Sequence, residues 1–375
     1  MRVAYVCYWN LLEKDGVAHK IETQVSEWGR GGADVKIFCL SASPLLERRR
    51  GDSQWSFFPF RSLPGRVAST LKLQRAVTAF GPDVVYLRYD LFLPPLGSLL
   101  SRFPAAVELN SDDRQEIKLR RVRPRSAGLY AEFNRRSILS KAAGCVCVTN
   151  ELAASQLVAP YRKPTVVVGN SVDLEVVKPL PVRVGGRPRA VFLGSRNQLW
   201  HGVDKIIFLA SAMPEMDFHL IGYDRADLPA GLPDNVTVHG ILARSEYEPI
   251  VAHADVAIGT LALHRKQMKE ACPLKVREYL GYGLPVVIAY EDTDFIGENP
   301  WYLLRLPNTE SNVESSVPEI RAFVERTRGK HVPRAAIEER VGARFKEARR
   351  LEFLRELRGG TASLDGAHAP SRAST

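Results

Sequence analysis

Lys269-Glu270-Ala271-Cys272-Pro273-Leu274-Lys275-Val276-Arg277-Glu278-Tyr279-Leu280-Gly281-Tyr282-Gly283-Leu284-Pro285 is punctuated as a helix at both ends. Pro273 suits the first helical position, where its missing N–H costs nothing. Gly283 suits the left-handed residue beyond the last turn, and Pro285 follows as a stop before an apolar run. The pattern predicts a helix from about Pro273 to Tyr282. Its charge is unusual. Lys275 sits in the first turn with Arg277 close behind, although free N–H groups already present positive charge there. An ammonium beside those N–H groups makes a phosphate site. A lysine pointing into solvent is the plainer reading for one residue alone. Glu270 and Glu278 change the balance, since they flank the phosphate position, one in the loop before the helix and one in its second turn.

Outward from this segment, apolar and β-branched runs alternate with helix-length stretches along the whole chain. The first half reads as strands over Val3–Tyr8, Val35–Leu40, Trp55–Phe60, Val84–Arg88, Ala105–Leu109, Gly144–Thr149 and Thr165–Val168. The second half reads as strands over Ala190–Gly194, Asp217–Gly222, Val236–Gly240, Val256–Gly259, Pro285–Ala289 and Tyr302–Leu306. Several are apolar throughout, as parallel strands covered on both faces must be. After His201, the residues Val203, Ile206, Ile207 and Ala210 fall on one helical stripe. Alternation of strand and helix, twice over, predicts an α/β chain with two doubly wound, Rossmann-like sheets. The expected division is a first domain over residues 1–170, a Pro- and Gly-rich linker over 171–188 and a second domain with terminal helices over 189–358. Residues 359–375 lack large apolar side chains and read as a disordered tail.

Glu270 and Glu278, separated by seven residues and followed by Tyr279-Leu280-Gly281-Tyr282-Gly283-Leu284-Pro285-Val286-Val287, resemble the E-x7-E signature of retaining GT4-type glycosyltransferases. The Pro273-Leu274-Lys275 insert is similar to the subgroup carrying Pro-Leu-Lys before the second glutamate. Phe192-Leu193-Gly194-Ser195-Arg196 and Trp200-His201-Gly202-Val203-Asp204 look like the first strand, loop and helix of that family's donor domain. Val238-His239-Gly240 and Ala252-His253-Ala254-Asp255-Val256 look like later parts of it. Val166-Val167-Val168-Gly169-Asn170-Ser171-Val172-Asp173 is similar to its interdomain segment, and Gly16-Val17 resembles its glycine loop near the donor phosphates. The resemblance implies a GT-B fold, two Rossmann-like domains facing a central cleft. It implies that Glu278 holds the ribose hydroxyls, that Lys275 with the Leu274 and Lys275 amides holds the diphosphate, and that Glu270 faces the transferred sugar. Gly16, Ser195, Arg196 and His201 complete the implied donor contacts.

Two departures stand out. Ser195 follows Gly194 where the family has an arginine, which leaves Arg196 one place later. His201 precedes Gly202 where the family has a lysine. In the first domain Asn110 stands where many members have a histidine, so its catalytic role is confined to orientation or hydrogen bonding. Asp292-Thr293-Asp294 spells a metal-binding pattern of a different transferase fold, but after a buried strand it reads as a solvated loop. Asp112 and Asp113 read as loop acids facing nearby arginines. Cys145 and Cys147 read as strand residues rather than ligands, so no metal site and no cofactor is expected.

Five cysteines without scaffold spacing argue for a reducing compartment and a cytoplasmic protein. No apolar run is long enough to span a membrane, and Met1–Leu12 reads as a strand rather than a signal peptide. The charge is lopsided. Residues 1–170 hold 25 Lys and Arg against 15 Asp and Glu, whereas residues 171–375 hold 27 of each. An anionic partner for the first half follows. Within it Lys118, Arg120, Arg121, Arg123 and Arg125 lie among Ile117, Leu119, Val122, Leu129, Tyr130 and Phe133, the composition of a helix lying on the inner face of an anionic membrane or gripping an acidic acceptor. No nucleic-acid module is present, and no G-x-G-x-x-G follows the first strand, which weighs against a dehydrogenase. The expectation is a hexosyltransferase of polysaccharide biosynthesis, moving sugar from a nucleotide diphosphate donor to a glycan or lipid-linked glycan. A sugar-nucleotide epimerase of the same architecture and a non-catalytic nucleotide-sugar binding protein are the alternatives.

Overall fold

The computed structural model describes residues 1–9, 16–42, 54–90, 92, 95–119, 125–181 and 185–360. It divides into two units, Met1–Gly169 with Lys346–Thr375, and Asn170–Phe345.

The first unit is built on seven strands: β1 (Arg2–Tyr8), β2 (Asp34–Ser41), β3 (Trp55–Pro59), β4 (Val84–Arg88), β5 (Ala105–Leu109), β6 (Gly144–Cys147) and β7 (Thr165–Val167). Their order across the sheet is β3-β2-β1-β4-β5-β6-β7, and every ladder is parallel. Strand β5 is buried along its whole length, because helices cover both faces. Leu73 and Val77 of helix Leu63–Phe80, Leu99 and Leu100 of helix Leu96–Arg102, and Ile138 and Leu139 of helix Arg125–Lys141 pack one face. Ile21, Val25 and Trp28 of helix Gly16–Arg30 pack the other. Helix Leu63–Phe80 starts where the Ser62 side chain accepts from Gly65 N–H at 3.2 Å, and it stops at Gly81, whose φ of 61° suits glycine.

The second unit carries β8 (Arg189–Leu193), β9 (Asp217–Ile221), β10 (Val236–Val238), β11 (Val256–Ile258), β12 (Glu270–Ala271), β13 (Val286–Ile288), β14 (Glu291–Asp292) and β15 (Leu303–Arg305). Six form a parallel sheet of order β10-β9-β8-β11-β13-β15, and β12 pairs with β14 apart from it. Helix Val203–Ala212 buries Ile206 and Ala210 of the expected stripe and leaves Val203 and Ile207 half-buried, while Leu209 and Lys205, outside that stripe, are buried instead. Gly222 shows why its position tolerates no side chain. Its φ is +94°, and a Cβ there would lie 2.2 Å from the Gly194 carbonyl oxygen.

The domain limits differ from the sequence reading in two respects. The stretch 171–188 is no free linker: Val172 N–H donates to Val341 O at 2.9 Å, and Leu174 and Val177 are buried in the second unit's core. Residues 182–184 lie outside the described residues, as does most of the proposed tail. The last helix, Ala343–Gly359, joins the first unit from Lys346 onward rather than the second. Leu351, Phe353, Leu354 and Leu357 form an apolar stripe that needs covering, and it finds cover in the core beside Trp28 and Val35. Arg350 fixes the attachment. Fully buried, it donates to Val168 O at 2.7 Å and Gly169 O at 2.8 Å, and it pairs with buried Glu347. Truncating Arg350 to Ala breaks a buried ion pair and removes two bonds to backbone carbonyls, so chemical denaturation is expected to show a loss of about 3 kcal/mol or more.

Candidate functional site

In the second sheet the strand order reverses between β8 and β11, so the loops leaving their carboxyl ends diverge there and open a crevice. Helix Leu274–Gly281 begins beside that point. Leu193 N–H donates to the Tyr279 hydroxyl at 2.6 Å, which ties the helix to the end of β8. Pro273 takes the capping position, with φ −70° and ψ 139°, one residue earlier than the first-turn placement expected for it. Both Val276 N–H and Arg277 N–H turn back to Pro273 O. The N–H groups of Leu274 and Lys275 have no partner among the described residues, so the helix offers two open donors at its positive end.

The Lys275 side chain lies across the Phe192 ring, its Nζ 4.2 Å from the ring centre, and 3.3 Å from His201 Nε2. Desolvation holds the ammonium down to about 7. Burial, then the charges of Lys275 and Lys266, hold His201 well below its ordinary value, so the imidazole is neutral. Its Nδ1 lies 3.2 Å from the Tyr223 hydroxyl, which itself donates to Ser195 O at 3.0 Å. Nδ1 accepts from the Ser195 N–H, so the neutral ring carries its proton on Nε2, the nitrogen facing Lys275 Nζ. Ser195 is exposed and places its N–H 3.4 Å from the same Nδ1.

Glu278 is a second organised group. Its Oε1 accepts from the Tyr247 hydroxyl at 2.6 Å and Arg244 Nε at 3.3 Å, and shares the Tyr282 hydroxyl proton, 3.0 Å away, with Glu248 at 2.8 Å. All three bonds fall on one oxygen, which leaves Oε2 open while the carboxylate is locked in place. Glu270 is buried on β12, at the start of the segment leading into the helix.

Other expected residues are placed differently. Arg277 does not join Lys275. It is fully buried, pairs with Asp292 and with Asp294 at 3.1 Å, and donates to Cys272 Sγ at 2.9 Å. Asp292 and Asp294 therefore belong to an internal ion cluster, not a solvated loop. Burial and Asp294 push Asp292 up against the pull of Arg277. Arg196 pairs with Asp224 and, at 2.7 Å, with Asp227 on the loop after β9, so its charge is already matched. Among the described residues no group of three or more His, Cys, Asp or Glu is placed to hold a metal.

In the first unit, Asn110 follows β5 and is held at both ends: its Oδ1 accepts from Lys20 Nζ at 2.7 Å and its Nδ2 donates to Glu108 Oε2 at 3.1 Å. Glu108 also takes Lys20 at 2.8 Å and Arg88 at 3.2 Å. Burial alone would raise Glu108, but Lys20 and Arg88 hold it well below the usual carboxylate range. Lys20 is held down to about 8, because desolvation outweighs Glu108. Asp112 pairs with Arg114 at 3.1 Å and Asp113 with Arg135 at 2.9 Å, the arginine partners expected, although Asp113 opens helix Asp113–Leu119 rather than lying in a loop. Gly16 opens helix Gly16–Arg30 and is exposed, while the residues before it lie outside the described ones. Sequence reasoning missed the Glu278 clamp. Tyr282 was within reach of it, one helical turn away, whereas Arg244 and Tyr247 carry no local signal.

Residues 15–171 match the glycosyl transferase 4-like domain. No curated protein is similar enough in sequence to match the chain. Among solved structures it is similar to sucrose-phosphate synthase from Thermosynechococcus elongatus, with TM-score 0.70 and 14% identity over 96% of this chain and 99% of that one. It is also similar to HepE of Anabaena in complex with UDP-glucose, with TM-score 0.61 and 15% identity over 95% of this chain and 100% of that one. A third is a protein of Listeria monocytogenes assigned as a UDP-N-acetylglucosamine 2-epimerase, with TM-score 0.59 and 12% identity over 95% of this chain and 96% of that one. At these identities the likeness carries the fold, which is GT-B.

An anion bound at the helix start favours the charged form of Lys275. Above the free lysine's value of about 7, binding must take up a proton, so affinity falls as pH rises. Calorimetry with a nucleoside diphosphate is expected to show affinity dropping by up to about tenfold per pH unit there, with proton uptake in buffers of different ionisation enthalpy. Equal uptake by Lys275→Met would remove Lys275 from the site.

Proposed function

We propose that this chain is a glycosyltransferase that moves a hexosyl group from a nucleotide diphosphate sugar to an acceptor hydroxyl, with retention of configuration and without a metal. The observation that carries the reading is one short helix presenting two open N–H groups, a desolvated lysine and a locked carboxylate at the switch point of a parallel sheet. In this reading the diphosphate lies on the Leu274 and Lys275 amides, and Lys275 Nζ binds its oxygens. Glu278 Oε2 accepts from the ribose hydroxyls, and Glu270 faces the sugar. Negative charge grows on the leaving diphosphate as the glycosidic bond breaks, and the helix end with Lys275 stabilises it where a metal would otherwise be needed. His201 is neutral and Arg196 is matched by aspartates, so the stabilising charge rests on Lys275. No carboxylate stands out as a nucleophile, which favours attack by the acceptor on the face the diphosphate leaves. The acceptor is a glycan or a lipid-linked glycan.

The likeness to an epimerase keeps a second reading in view, and incubation with donor alone separates the two: an epimerase converts it without acceptor. For the transferase, Lys275→Ala is expected to weaken nucleoside diphosphate binding by about 1–3 kcal/mol, the worth of a charge-assisted hydrogen bond. Unchanged affinity by calorimetry would refute the phosphate assignment. The glutamates should separate in steady-state kinetics. Glu278→Ala is expected to act mainly on donor KM, since ribose contacts barely change during reaction, and Glu270→Ala mainly on kcat. If both move only KM, the assigned roles are wrong.

A further inference from the structure

We infer that one helical layer of the first unit is a docking surface for an anionic lipid bilayer. Helices Leu63–Phe80, Leu96–Arg102 and Arg125–Lys141 share a single face of the sheet, where their inward residues form one core. They are neighbours. Gln74 donates to Ser98 Oγ at 2.6 Å, a Cβ on Gly97 would lie 2.7 Å from Lys141 Nζ, and the Arg66 charge acts on Tyr130.

The outward side of this layer is unlike a solvated surface. Leu63, Val67 and Leu71 recur every four residues on the first helix and are all exposed, Leu63 at 67%. Leu129 and Phe133 do the same on the third, at 76% and 60%. Residues four apart stand on one side of a helix, so each set is a stripe. Both stripes occupy the amino-terminal halves of their helices, which lie toward the carboxyl edge of the sheet. The charge around them is mainly positive, although Arg135 is buried and paired with Asp113 and Glu132. By sequence the three helices carry eight Lys and Arg and one acid, Glu132. Helix Leu63–Phe80 has no acid at all, and its Lys72 and Arg75 are exposed. On the opposite face, helix Gly16–Arg30 carries two Lys and Arg against two Glu, the last helix from Lys346 carries five against three, and Ile21, Val25 and Trp28 are buried. The first half's excess of positive charge is thus concentrated on the layer that exposes leucine and phenylalanine. Apolar side chains at headgroup depth with cations beside them are what an anionic bilayer binds. A soluble acidic partner would use the cations and leave the leucines without purpose.

This widens and relocates the surface expected from sequence. The basic helix expected among residues 117–133 is divided between two helices, Asp113–Leu119 and Arg125–Lys141. Lys118 is exposed, whereas Arg120, Arg121 and Arg123 lie outside the described residues, as does the Arg125 side chain. The outer stripe of helix Leu63–Phe80 carried no sequence signal, because its apolar residues read equally well as core.

The inference is independent of the donor site and is tested without turnover. The full chain is co-sedimented with phosphatidylglycerol–phosphatidylcholine vesicles, with phosphatidylcholine vesicles, and in competition with soluble polyphosphate. Binding only to the anionic vesicles, weakened by salt, is expected. Leu129→Ser with Phe133→Ser should lower the affinity by about tenfold or more, and Lys72→Gln and Arg75→Gln by about fivefold each. All four side chains are exposed, so an unchanged thermal midpoint confirms that the variants fold. Absence of vesicle binding would overturn the inference. So would binding that polyphosphate competes away and that the Leu129 and Phe133 substitutions leave intact, which would assign the layer to a soluble polyanion.

Discussion

Parallel strands cannot be joined by a tight turn. Each time, the chain must cross back over the sheet before the next strand can pair, and the crossing helix begins at the edge where strands end. Every ladder in both sheets here is parallel, so this constraint is met at each step. It buries the strands on both faces and expels polar chemistry to one edge. Arg88 ends β4, Glu108 and Asn110 sit at the end of β5, and the open amides of Leu274 and Lys275 lie past the ends of β8 and β11. The open donors at the start of that helix are therefore a consequence of how the sheet is wound, with one desolvated lysine beside them.

Two cations on that helix, two residues apart, have opposite fates, and the difference lies in their proton chemistry. An arginine keeps its charge in any protein environment, so a buried one must be given carboxylates. Arg277 has Asp292 and Asp294. A lysine can shed its proton when desolvated. Among the described residues, Lys275 meets an aromatic face and a neutral imidazole and has no carboxylate partner. A charge left unmatched by the protein is one that a ligand can match.

The fold was legible in sequence because its signals are local. Strands β4 and β5 have the bounds read for them, since Pro, Gly and Asp punctuate their ends and their apolar runs match parallel burial. Pro273 was displaced by one position because its fixed φ fits both the cap and the first turn. The donor side chains were recognisable as types at a spacing, but their partners were not. Nothing local announces that Tyr247 reaches Glu278, that Arg196 turns to Asp224 and Asp227, or that the two aspartates of the D-x-D pattern enclose a guanidinium. The terminal helix failed for the same reason: its apolar stripe shows that it must be covered, and not by which sheet.

That last helix has a consequence for the order in which the molecule is made. The second unit is one continuous stretch and can close as soon as it has left the ribosome. The first unit cannot, although most of its residues emerge earlier, because its final apolar stripe is synthesised only after the whole second unit. Until Leu351, Leu354 and Leu357 arrive, the surface beside Trp28 and Val35 stays bare through the synthesis of the whole second unit. Cotranslational folding, which ordinarily completes the amino-terminal domain first, here finishes last what it begins first, and a chain that terminates early carries an open seam.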